Sequence, residues 1–368
     1  MATMQHALRA KEKLVKDWGK LPGVVGIGVG FANGVNRAGG LCVVLYTLHS
    51  QASMKKKCPS CVHVPNAKTA GNSVRVPVRI VKSGRCCCHP FVKPKATGRG
   101  LRSRIRPVIA GYSVGRRGIS GTAGLIVAQA ANQARRFLLS NNHILNRNNS
   151  GSYTEVLQPG GADGGRPGRD RIGRMYRYVR LRRGGVNYLD AAIAIPSSQR
   201  LLAPRYARIG RIPGSVRSYA LGSRLKKVGR SSGFVRGVVV SIHTDVMVDY
   251  GGYGGLGQIR FRNQTVIRGS RAVSLAGDSG SVWLTSGNRA AAVNFAGSED
   301  GRLSISFPVQ WALQAFGIRV ARGTASRART RTTRLNPRRR PNSTRGLNPI
   351  ELRSIRKQIR GMGRRSGR

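Results

Sequence analysis

Three polar side chains stand in sequence surroundings that suit nucleophilic catalysis. Ser279 lies in the loop sequence LAGDSGSVWL, where Gly277 and Gly280 permit a tight turn that exposes a hydroxyl. His143 follows the apolar run FLLS, and Asp190 precedes the apolar run AAIAI. Hydrolysis through an acyl-enzyme requires a hydroxyl nucleophile, an imidazole base and a carboxylate that orients the base. The three residues are therefore a candidate catalytic set.

Each of these residues also has a simpler interpretation. A loop of small residues between strands explains Ser279 nearly as well, and a lone histidine at a strand end is more often structural. A buried Asp190 needs a partner, which an arginine could supply as readily as an imidazole. The order His, Asp, Ser and the separations of 47 and 89 residues (190 − 143 and 279 − 190) favour catalysis, because they otherwise require three independent coincidences.

The elements that must position these residues are rich in β-forming side chains. Between about residues 108 and 320, short β-branched runs alternate with turns that contain Gly, as in GISGTAGLIV, YLDAAIAI, GFVRGVVVSI and GSVWLT. Many short strands separated by turn signals predict a barrel or a sandwich. We therefore expect a mainly β domain over residues 101–321.

A smaller unit precedes this domain. Residues 5–18 carry apolar side chains at helical spacing, and the runs GVVGIGVGF, LCVVLYTL and VRVPVRIV are rich in β-forming residues. Residues 1–100 therefore predict a small α+β module with a Cys-rich segment. A dinucleotide-binding loop in GVVGIGVGF is disfavoured, because no helix follows it.

The last part of the chain has the composition of a disordered basic tail. Residues 322–368 contain sixteen basic residues, one acid and no aromatic residue. Such a segment attracts polyanions but cannot stack on bases. Within it, Asn348 and Pro349 are suited to start a short helix that orders on a partner.

The charge balance predicts a polyanionic partner. The 66 Lys and Arg residues against 12 Asp and Glu residues give a formal net charge of +54, far more than solubility requires. Nucleic acid or another anionic surface would release counterions on binding to the tail. A general bias of the proteome toward Arg is the simpler explanation of the same numbers.

A second constellation of side chains resembles a metal site. Cys58 and Cys61 form a C-x-x-C pair, Cys86 and His89 form a C-x-x-H pair, and a loop of twenty-four residues separates the two pairs. These four ligands could hold a structural zinc ion tetrahedrally. Reduced surface thiols or a redox pair are the alternatives.

The sequence also bears on cellular location. It has no apolar run of about 20 residues that would span a bilayer, and the N-terminus lacks a basic start followed by an apolar block. All six cysteines lie between Cys42 and Cys88, so residues 89–368 contain no disulfide. We therefore expect a cytoplasmic protein without a transmembrane segment.

The candidate catalytic residues stand in three motifs: SNNH at His143, DAAIA at Asp190 and GDSGS at Ser279. In their order and spacing the chain resembles the chymotrypsin-like serine proteases. More narrowly, it is similar to the bacterial trypsin-like peptidases related to the plant NARROW LEAF protein, which have all three motifs. The similarity covers about residues 108–318 and extends to GTAGLIV, LQPGGADGG, DRIG, KVGRSSGFVRG, NFAGSEDG and FPVQWAL.

This resemblance implies a fold and a role for each residue. It implies a chymotrypsin-like double β-barrel of six strands each, with His143 and Asp190 from the first barrel and Ser279 from the second. Ser279 is the implied nucleophile, His143 the base and Asp190 the orienting carboxylate. The amides of Gly277 and Ser279 would form the oxyanion hole. Asp278, which pairs with a freed N-terminus in secreted relatives, must have another partner here or only shape the loop.

Two functions from different classes follow. The first is a serine endopeptidase, a trypsin-like hydrolase that acts on protein or peptide substrates without a required cofactor and that its basic surface and tail bring to a polyanion. The second is a low-turnover or inactive protein of the same fold that binds nucleic acid or an anionic surface. The reactivity of Ser279 separates them, because only a working triad activates its hydroxyl.

Overall fold

The computed structural model describes residues 2–34, 39–66, 72–88, 100–323 and 342–361. The helices in this part of the chain are α1 (Met4–Lys16), α2 (Gln51–Lys55), α3 (Asn142–Leu145), α4 (Val309–Phe316) and α5 (Pro349–Gln358). The strands are β1 (Val24–Phe31), β2 (Leu41–Thr47), β3 (Cys61–Pro65), β4 (Ser73–Lys82), β5 (Cys86–Cys87), β6 (Val108–Ala110), β7 (Ser113–Arg116), β8 (Ile119–Thr122), β9 (Leu125–Gln129), β10 (Arg136–Ser140), β11 (Glu155–Leu157), β12 (Arg171–Val179), β13 (Ala192–Pro196), β14 (Leu202–Tyr206), β15 (Arg224–Gly229), β16 (Gly233–Asp249), β17 (Gln258–Arg268), β18 (Val282–Leu284), β19 (Ala290–Ser298), β20 (Leu303–Pro308), β21 (Ile318–Val320) and β22 (Ile359–Gly361). None of the helices so described is long and apolar enough to cross a membrane.

The first barrel is built from a nine-stranded sheet. Its strand order is β21-β9-β10-β13-β12-β11-β7-β8, and β22 pairs with β12 outside this path. Strands β9, β10 and β13 are mostly buried, as their runs of Leu, Ile, Val and Ala predict. The sheet exceeds the expected six strands partly because β21 and β22, which follow the second barrel in sequence, join it.

The second barrel has the expected six strands. They follow the order β15-β18-β19-β20-β17-β16, and pairing between β15 and β16 closes the ring. Strands β18, β19 and β20 are buried along their whole length. Closure leaves no free edge within the ring, so backbone groups are paired without help from solvent. The predicted double β-barrel is confirmed.

The N-terminal module shares a sheet with the second barrel. Strand β1 pairs with β16 on one side and with β2 on the other, and β4 and β3 continue the sheet. The short strand β5, which pairs with β16 and β19, is the eleventh strand. Close packing explains why glycine occupies position 28 in GVVGIGVGF. A Cβ on Gly28 would lie 2.3 Å from both Ser241 Oγ and Thr244 Oγ1. These glycines therefore permit close strand packing, in agreement with the rejection of a nucleotide loop.

Helix α1 attaches the module through one buried ion pair. Thr3 caps the helix, and Ala7, Ala10 and Leu14 face the core beneath it. Lys11 lies on the same face, and its Nζ is 2.6 Å from Asp245 Oδ1 on β16, with both side chains fully buried. Removing either partner would leave a charge in the core, so the pair fixes α1 on this strand.

Residues 342–361 are folded, which corrects the tail boundary expected at residue 322. Asn348 Oδ1 accepts from the amide of Glu351 at 2.8 Å, and Glu351 Oε2 accepts from the amide of Asn348 at 3.0 Å. This capping box starts α5, and Ile355 is fully buried against the protein body. The helix therefore orders on its own chain instead of on a separate partner. Residues 324–341 and 362–368 lie outside the described part.

A buried ion pair joins the two barrels. Asp163, in the turn after β11, accepts from Arg230 Nε at 2.7 Å, and a second contact joins Arg230 Nη2 to the other carboxylate oxygen. Ser113 Oγ donates to the same carboxylate at 2.6 Å. Burial alone would raise the pKa of Asp163, but the hydrogen bonds from Arg230 and Ser113 hold it below its usual value. The ionised pair therefore stabilises the contact between barrels.

We expect Asp163→Asn to destabilise the protein by about 3 kcal/mol at pH 7, because Arg230 is left buried without a counter-charge. A lowered pKa in the folded state gives stability that is present above the unfolded value of about 3.9 and is lost as the pH falls through the folded pKa. The difference between wild type and variant in urea unfolding should therefore be constant above about pH 5 and shrink below about pH 4. Asp17→Asn, which removes an exposed ion pair with Lys20, is the control and should change stability by less than about 0.5 kcal/mol. Equal effects of the two substitutions would contradict the assignment.

Candidate active site

His143 is held at the end of a buried strand. Strand β10 runs into Asn141 and the short helix α3, which contains the histidine. Asn141 Nδ2 donates to the backbone oxygen of Asp190 at 2.6 Å, so the turn is bonded to the segment that enters β13. The SNNH sequence therefore supplies both the imidazole and a side chain that fixes the turn presenting it.

The Asp190 carboxylate is fully buried and accepts four hydrogen bonds. Oδ2 lies 2.5 Å from His143 Nδ1 and accepts from the Tyr250 hydroxyl at 2.6 Å. Oδ1 accepts from the amide of Asn142 at 2.7 Å and from the amide of His143 at 3.3 Å. A carboxylate bonded in this way holds the imidazole with its proton on Nδ1, which leaves Nε2 as a proton acceptor. The partner of this acid is thus the imidazole, and not one of the many arginines.

Two tyrosines from the hairpin between β16 and β17 enclose the imidazole. The rings of Tyr250 and Tyr253 lie 5.8 and 6.3 Å from that of His143 between centroids, both edge-on. Tyr253 donates instead to the backbone oxygens of Asn142 and Asn146. Burial, reinforced by the nearby Asp190 carboxylate, raises the pKa of Tyr250 well above its usual value, so its hydroxyl remains a donor.

The loop that carries Ser279 is docked on the first barrel. The amide of Thr122 donates to Ser279 O at 2.8 Å, and Ser140 Oγ donates to Thr122 O at 2.8 Å. Gly280 has φ +92°, and a Cβ on it would lie only 2.1 Å from Ser140 Oγ. Ser140 stands three residues before His143, so the serine loop is fixed against the strand that presents the histidine. The structure therefore places the loop of Ser279 against the strand that leads to His143 and Asp190.

Asp278 has a buried partner of its own. Its carboxylate lies 3.4 Å from Lys227 Nζ, and both side chains are fully buried. Oδ1 accepts from the amides of Ser231 and Ser232, and Oδ2 from the amide of Leu275, each at 3.0 Å. Burial lowers the pKa of Lys227, although the Asp278 carboxylate acts in the opposite direction. A lysine on β15 thus takes the place of a freed N-terminus and shapes the loop before Ser279.

The predicted oxyanion-hole amides have no protein acceptor within the described residues. Gly277 has φ +94°, and its carbonyl accepts from Thr122 Oγ1 at 2.8 Å, which orients this turn of the loop. The amides of Gly277 and Ser279 donate to no acceptor in that part of the chain. Two backbone amides without an acceptor among the described residues, one on each side of Asp278, are of the kind that a developing oxyanion requires.

The Ser279 hydroxyl is covered by the N-terminal part of the same chain. Ser279 is 2% exposed, and its Oγ donates to the backbone oxygen of Cys88 at 3.1 Å. Sequence analysis did not anticipate this contact, because nothing in a run of three cysteines indicates that its main chain enters a cleft. Tyr250 and Lys227 were also missed, since neither belongs to a local motif.

The three predicted zinc ligands that the structure describes, Cys58, Cys61 and Cys86, do not form one group. Cys58 packs in the apolar core under α1, whereas Cys86 packs on the second barrel in a different core cluster. Cys61 Sγ lies 3.7 Å from His63 Nε2. Among the residues that the structure describes, no three His, Cys, Asp or Glu side chains form a group able to hold a metal ion. His89 lies outside these residues, and the structure gives the zinc prediction no support.

Comparison with known proteins finds similarity in structure only. No protein family model matches the chain, and no curated protein matches its sequence. Thermobifida fusca protease A is 20% identical with a TM-score of 0.42, and the match covers 59% of this chain and 99% of that protease. Nocardiopsis protease is 18% identical with a TM-score of 0.42, over 58% and 99% of the two chains. Cellulomonas bogoriensis chymotrypsin is 18% identical with a TM-score of 0.39, over 58% and 97%. The topology of the chain itself places His143 and Asp190 beside strands of the nine-stranded sheet and Ser279 in the loop before β18 of the second barrel.

Proposed function

We propose that this protein is a serine endopeptidase that cleaves peptide bonds through an acyl-enzyme at Ser279. The observation that carries the proposal is the fully buried Asp190 carboxylate, 2.5 Å from His143 Nδ1, at the end of the strand on which the Ser279 loop packs. The chain has 66 basic residues, yet this buried carboxylate is bonded to an imidazole and not to an arginine. A chemical role is the simplest explanation of that pairing.

The residues of the cleft supply each proton transfer of the reaction. His143 takes the proton of Ser279 as Oγ attacks the substrate carbonyl carbon, and Asp190 stabilises the imidazolium that forms. The amides of Gly277 and Ser279 receive the negative charge on the carbonyl oxygen. His143 then protonates the leaving amine, and a water molecule activated by the same imidazole hydrolyses the ester.

Binding to a polyanion is a second candidate function, supported by a basic groove on the first barrel. We give this name to the surface formed by five exposed side chains, Arg180, Arg182, Arg183, Lys357 and Arg360. The amide of Arg180 donates to the backbone oxygen of Gln358 at 3.0 Å, so the strand end and the C-terminal segment form one surface. No described residue that lines this groove is acidic. An extended phosphate backbone fits such a surface.

The peptidase proposal is tested by fluorophosphonate labelling, with the modified residue located by mass spectrometry. Wild type is compared with Ser279→Ala and His143→Ala, and also with Cys88→Pro, which lacks the amide hydrogen that holds Cys88 near Ser279. We expect labelling at Ser279 that is fastest in Cys88→Pro, absent in Ser279→Ala and slower by at least about 10³-fold in His143→Ala. A folded Cys88→Pro variant that does not label at Ser279 would refute the proposal.

Tyr250→Phe tests whether the hydroxyl at Asp190 tunes the triad. Losing this donor leaves more negative charge on the carboxylate facing His143, which favours the imidazolium form. We expect the acidic limb of the labelling rate against pH to move up by about one pH unit, equivalent to about 1.4 kcal/mol. Tyr253→Phe is the matched control, because that hydroxyl bonds backbone oxygens beside the same ring, and its profile should not move. A merely structural role for Tyr250 would lower the rate without shifting the profile.

The basic groove is tested by the affinity of Ser279→Ala protein for a short nucleic-acid duplex at several salt concentrations. Replacing Arg180, Arg182 and Arg183 by Gln should weaken binding and lower the slope of log affinity against log salt by about two to three. A control with the same charge change replaces the exposed Arg200, Arg205 and Arg208 by Gln. Equal losses in the two triple variants would mean that binding reflects net charge alone and would exclude a site at the groove.

A further inference from the structure

Three buried asparagines lie in and just after the short helix that carries His143. Asn142 and Asn146 are fully buried, and Asn149 is 7% exposed. Asn142 Nδ2 donates to Asn149 Oδ1 at 2.8 Å and to Val179 O at 3.1 Å. Asn142 Oδ1 accepts from Asn146 Nδ2 at 2.8 Å. Buried amides need such partners, and here the amides of one turn are bonded to each other.

Asn149 joins this network to the first barrel. Just beyond the end of β12, the amide of Leu181 donates to Asn149 Oδ1 at 3.0 Å, and the carbonyl oxygen of Leu181 accepts from Asn149 Nδ2 at 2.8 Å. The side chain thus bonds both main-chain groups of Leu181, as a neighbouring strand would. Asn149 also has φ +55°, a left-handed conformation that asparagine adopts more readily than most residues. Position 149 therefore suits asparagine both in its side chain and in its backbone.

The same network reaches the Asp190 carboxylate. The amide of Asn142 donates to Asp190 Oδ1 at 2.7 Å, and the amide of His143 donates to the same oxygen at 3.3 Å. Oδ2 of this carboxylate faces His143 Nδ1. A donor to Oδ1 stabilises the carboxylate, and its loss leaves more negative charge facing the imidazole. The position of Asn142 therefore affects the base of the triad.

The bonds of Asn149 are harder to replace than those of Tyr253, which lies beside the same turn. The Tyr253 hydroxyl donates to Asn142 O at 3.3 Å and to Asn146 O at 3.4 Å. Asn142 O already accepts from the amide of Asn146 at 2.8 Å, so it keeps a donor without Tyr253. Loss of the Asn149 side chain instead removes three bonds together, one to Asn142 and two to Leu181.

We infer that Asn149 is a positioning residue of the catalytic triad. It holds Asn142 so that the Asn142 amide stays bonded to Asp190 Oδ1, which leaves Oδ2 directed at His143. This inference rests on the proposed peptidase function and adds a residue that acts on the reaction through Asn142. The alternative is that Asn149 only stabilises the turn.

Fluorophosphonate labelling of Ser279 against pH tests the inference on the full chain. All variants carry Cys88→Pro, which uncovers Ser279, and the rates are corrected for the folded fraction measured by urea unfolding. Asn149→Gly removes the side chain and tolerates the positive φ. We expect it to lower the limiting rate by at least about tenfold, because the triad is misplaced. The acidic limb should move up by about half a pH unit, because Asp190 with a weaker donor favours the imidazolium form.

Asn148→Gly is the matched control. Asn148 has φ +54° and an exposed side chain, so the substitution makes the same change one residue away from the network. It should alter neither the limiting rate nor the acidic limb. A purely structural role for Asn149 would reduce the folded fraction and leave the corrected profile where it was.

Other titratable groups around the imidazole do not contribute to the expected shift. Burial raises the pKa of Tyr250 and of Tyr253 well above the usual value, so both remain neutral. Cys88, whose thiol pKa burial also raises, is replaced in every variant. Arg116, a cation near Tyr253, stays charged throughout. The acidic limb therefore reports on His143 and its carboxylate.

A double-mutant cycle tests whether Asn149 acts through Asn142. Asn142→Ala alone should give a similar shift, and adding Asn149→Gly should change the profile little further. Additive effects, or equal profiles of Asn149→Gly and Asn148→Gly, would overturn the inference and leave the peptidase intact. If a folded Cys88→Pro does not label at all, the peptidase proposal fails and the inference fails with it.

Asn149→Asp takes the place of Asn149→Gly if the latter does not fold. It keeps the shape of the side chain and an acceptor for Asn142, but it loses the donor to Leu181 O. Asn148→Asp adds the same charge at the neighbouring position and is its control. A larger shift in Asn149→Asp supports the inference, and equal shifts in the two variants contradict it.

Discussion

The architecture depends on the pairing of one long strand. Strand β16 runs for 17 residues, from Gly233 to Asp249, and has β17 along most of its length. Its first part closes the second barrel against β15, and its later part pairs with β1 of the N-terminal module. Its last residue bonds the amide of Cys88, and the next one, Tyr250, donates to Asp190. A single element therefore joins the barrel, the module, the segment that covers Ser279 and the Asp190 carboxylate. A shift of its register would displace all four together.

Acidic residues are scarce in this chain, and four buried carboxylates each have a specific partner. In a chain with 12 acids and 66 basic residues, cations are available everywhere, yet the partners are specific. Asp245 fixes α1 through Lys11, Asp163 joins the barrels through Arg230, and Asp278 shapes the serine loop through Lys227. Asp190 differs from these, because it bonds an imidazole, a tyrosine and two backbone amides and contacts no arginine or lysine among the described residues. Among these four buried carboxylates, Asp190 is therefore the one whose partner is an imidazole and not a lysine or arginine.

Short sequence patterns predicted those features of the structure that neighbouring residues determine. Strand patterning predicted a barrel or a sandwich, and helical spacing predicted the helix near the N-terminus. The double barrel and the set of His143, Asp190 and Ser279 were implied by the resemblance that three motifs carry. Tyr250 could not be found in this way, because its role arises where a hairpin of the second barrel meets a turn of the first. The tail was assigned by composition, whereas the capping signal of Asn348 and Glu351 was the better guide to residues 342–361. Asp163 stood in the recognised LQPGGADGG motif, but only the fold shows that its partner is Arg230. Contacts distant in sequence were thus the part that sequence reasoning missed.

The close approach at Gly280 bears on how the cleft is opened. With no space for a methyl group between this glycine and Ser140, the loop of Ser279 packs directly against the first barrel. Access to Ser279 depends on residues 86–88, which cover its hydroxyl. A few backbone hydrogen bonds, each worth about 1 kcal/mol, hold these three residues in place. Uncovering Ser279 therefore requires breaking the pairing of one short strand. This costs far less free energy than separating two packed barrels.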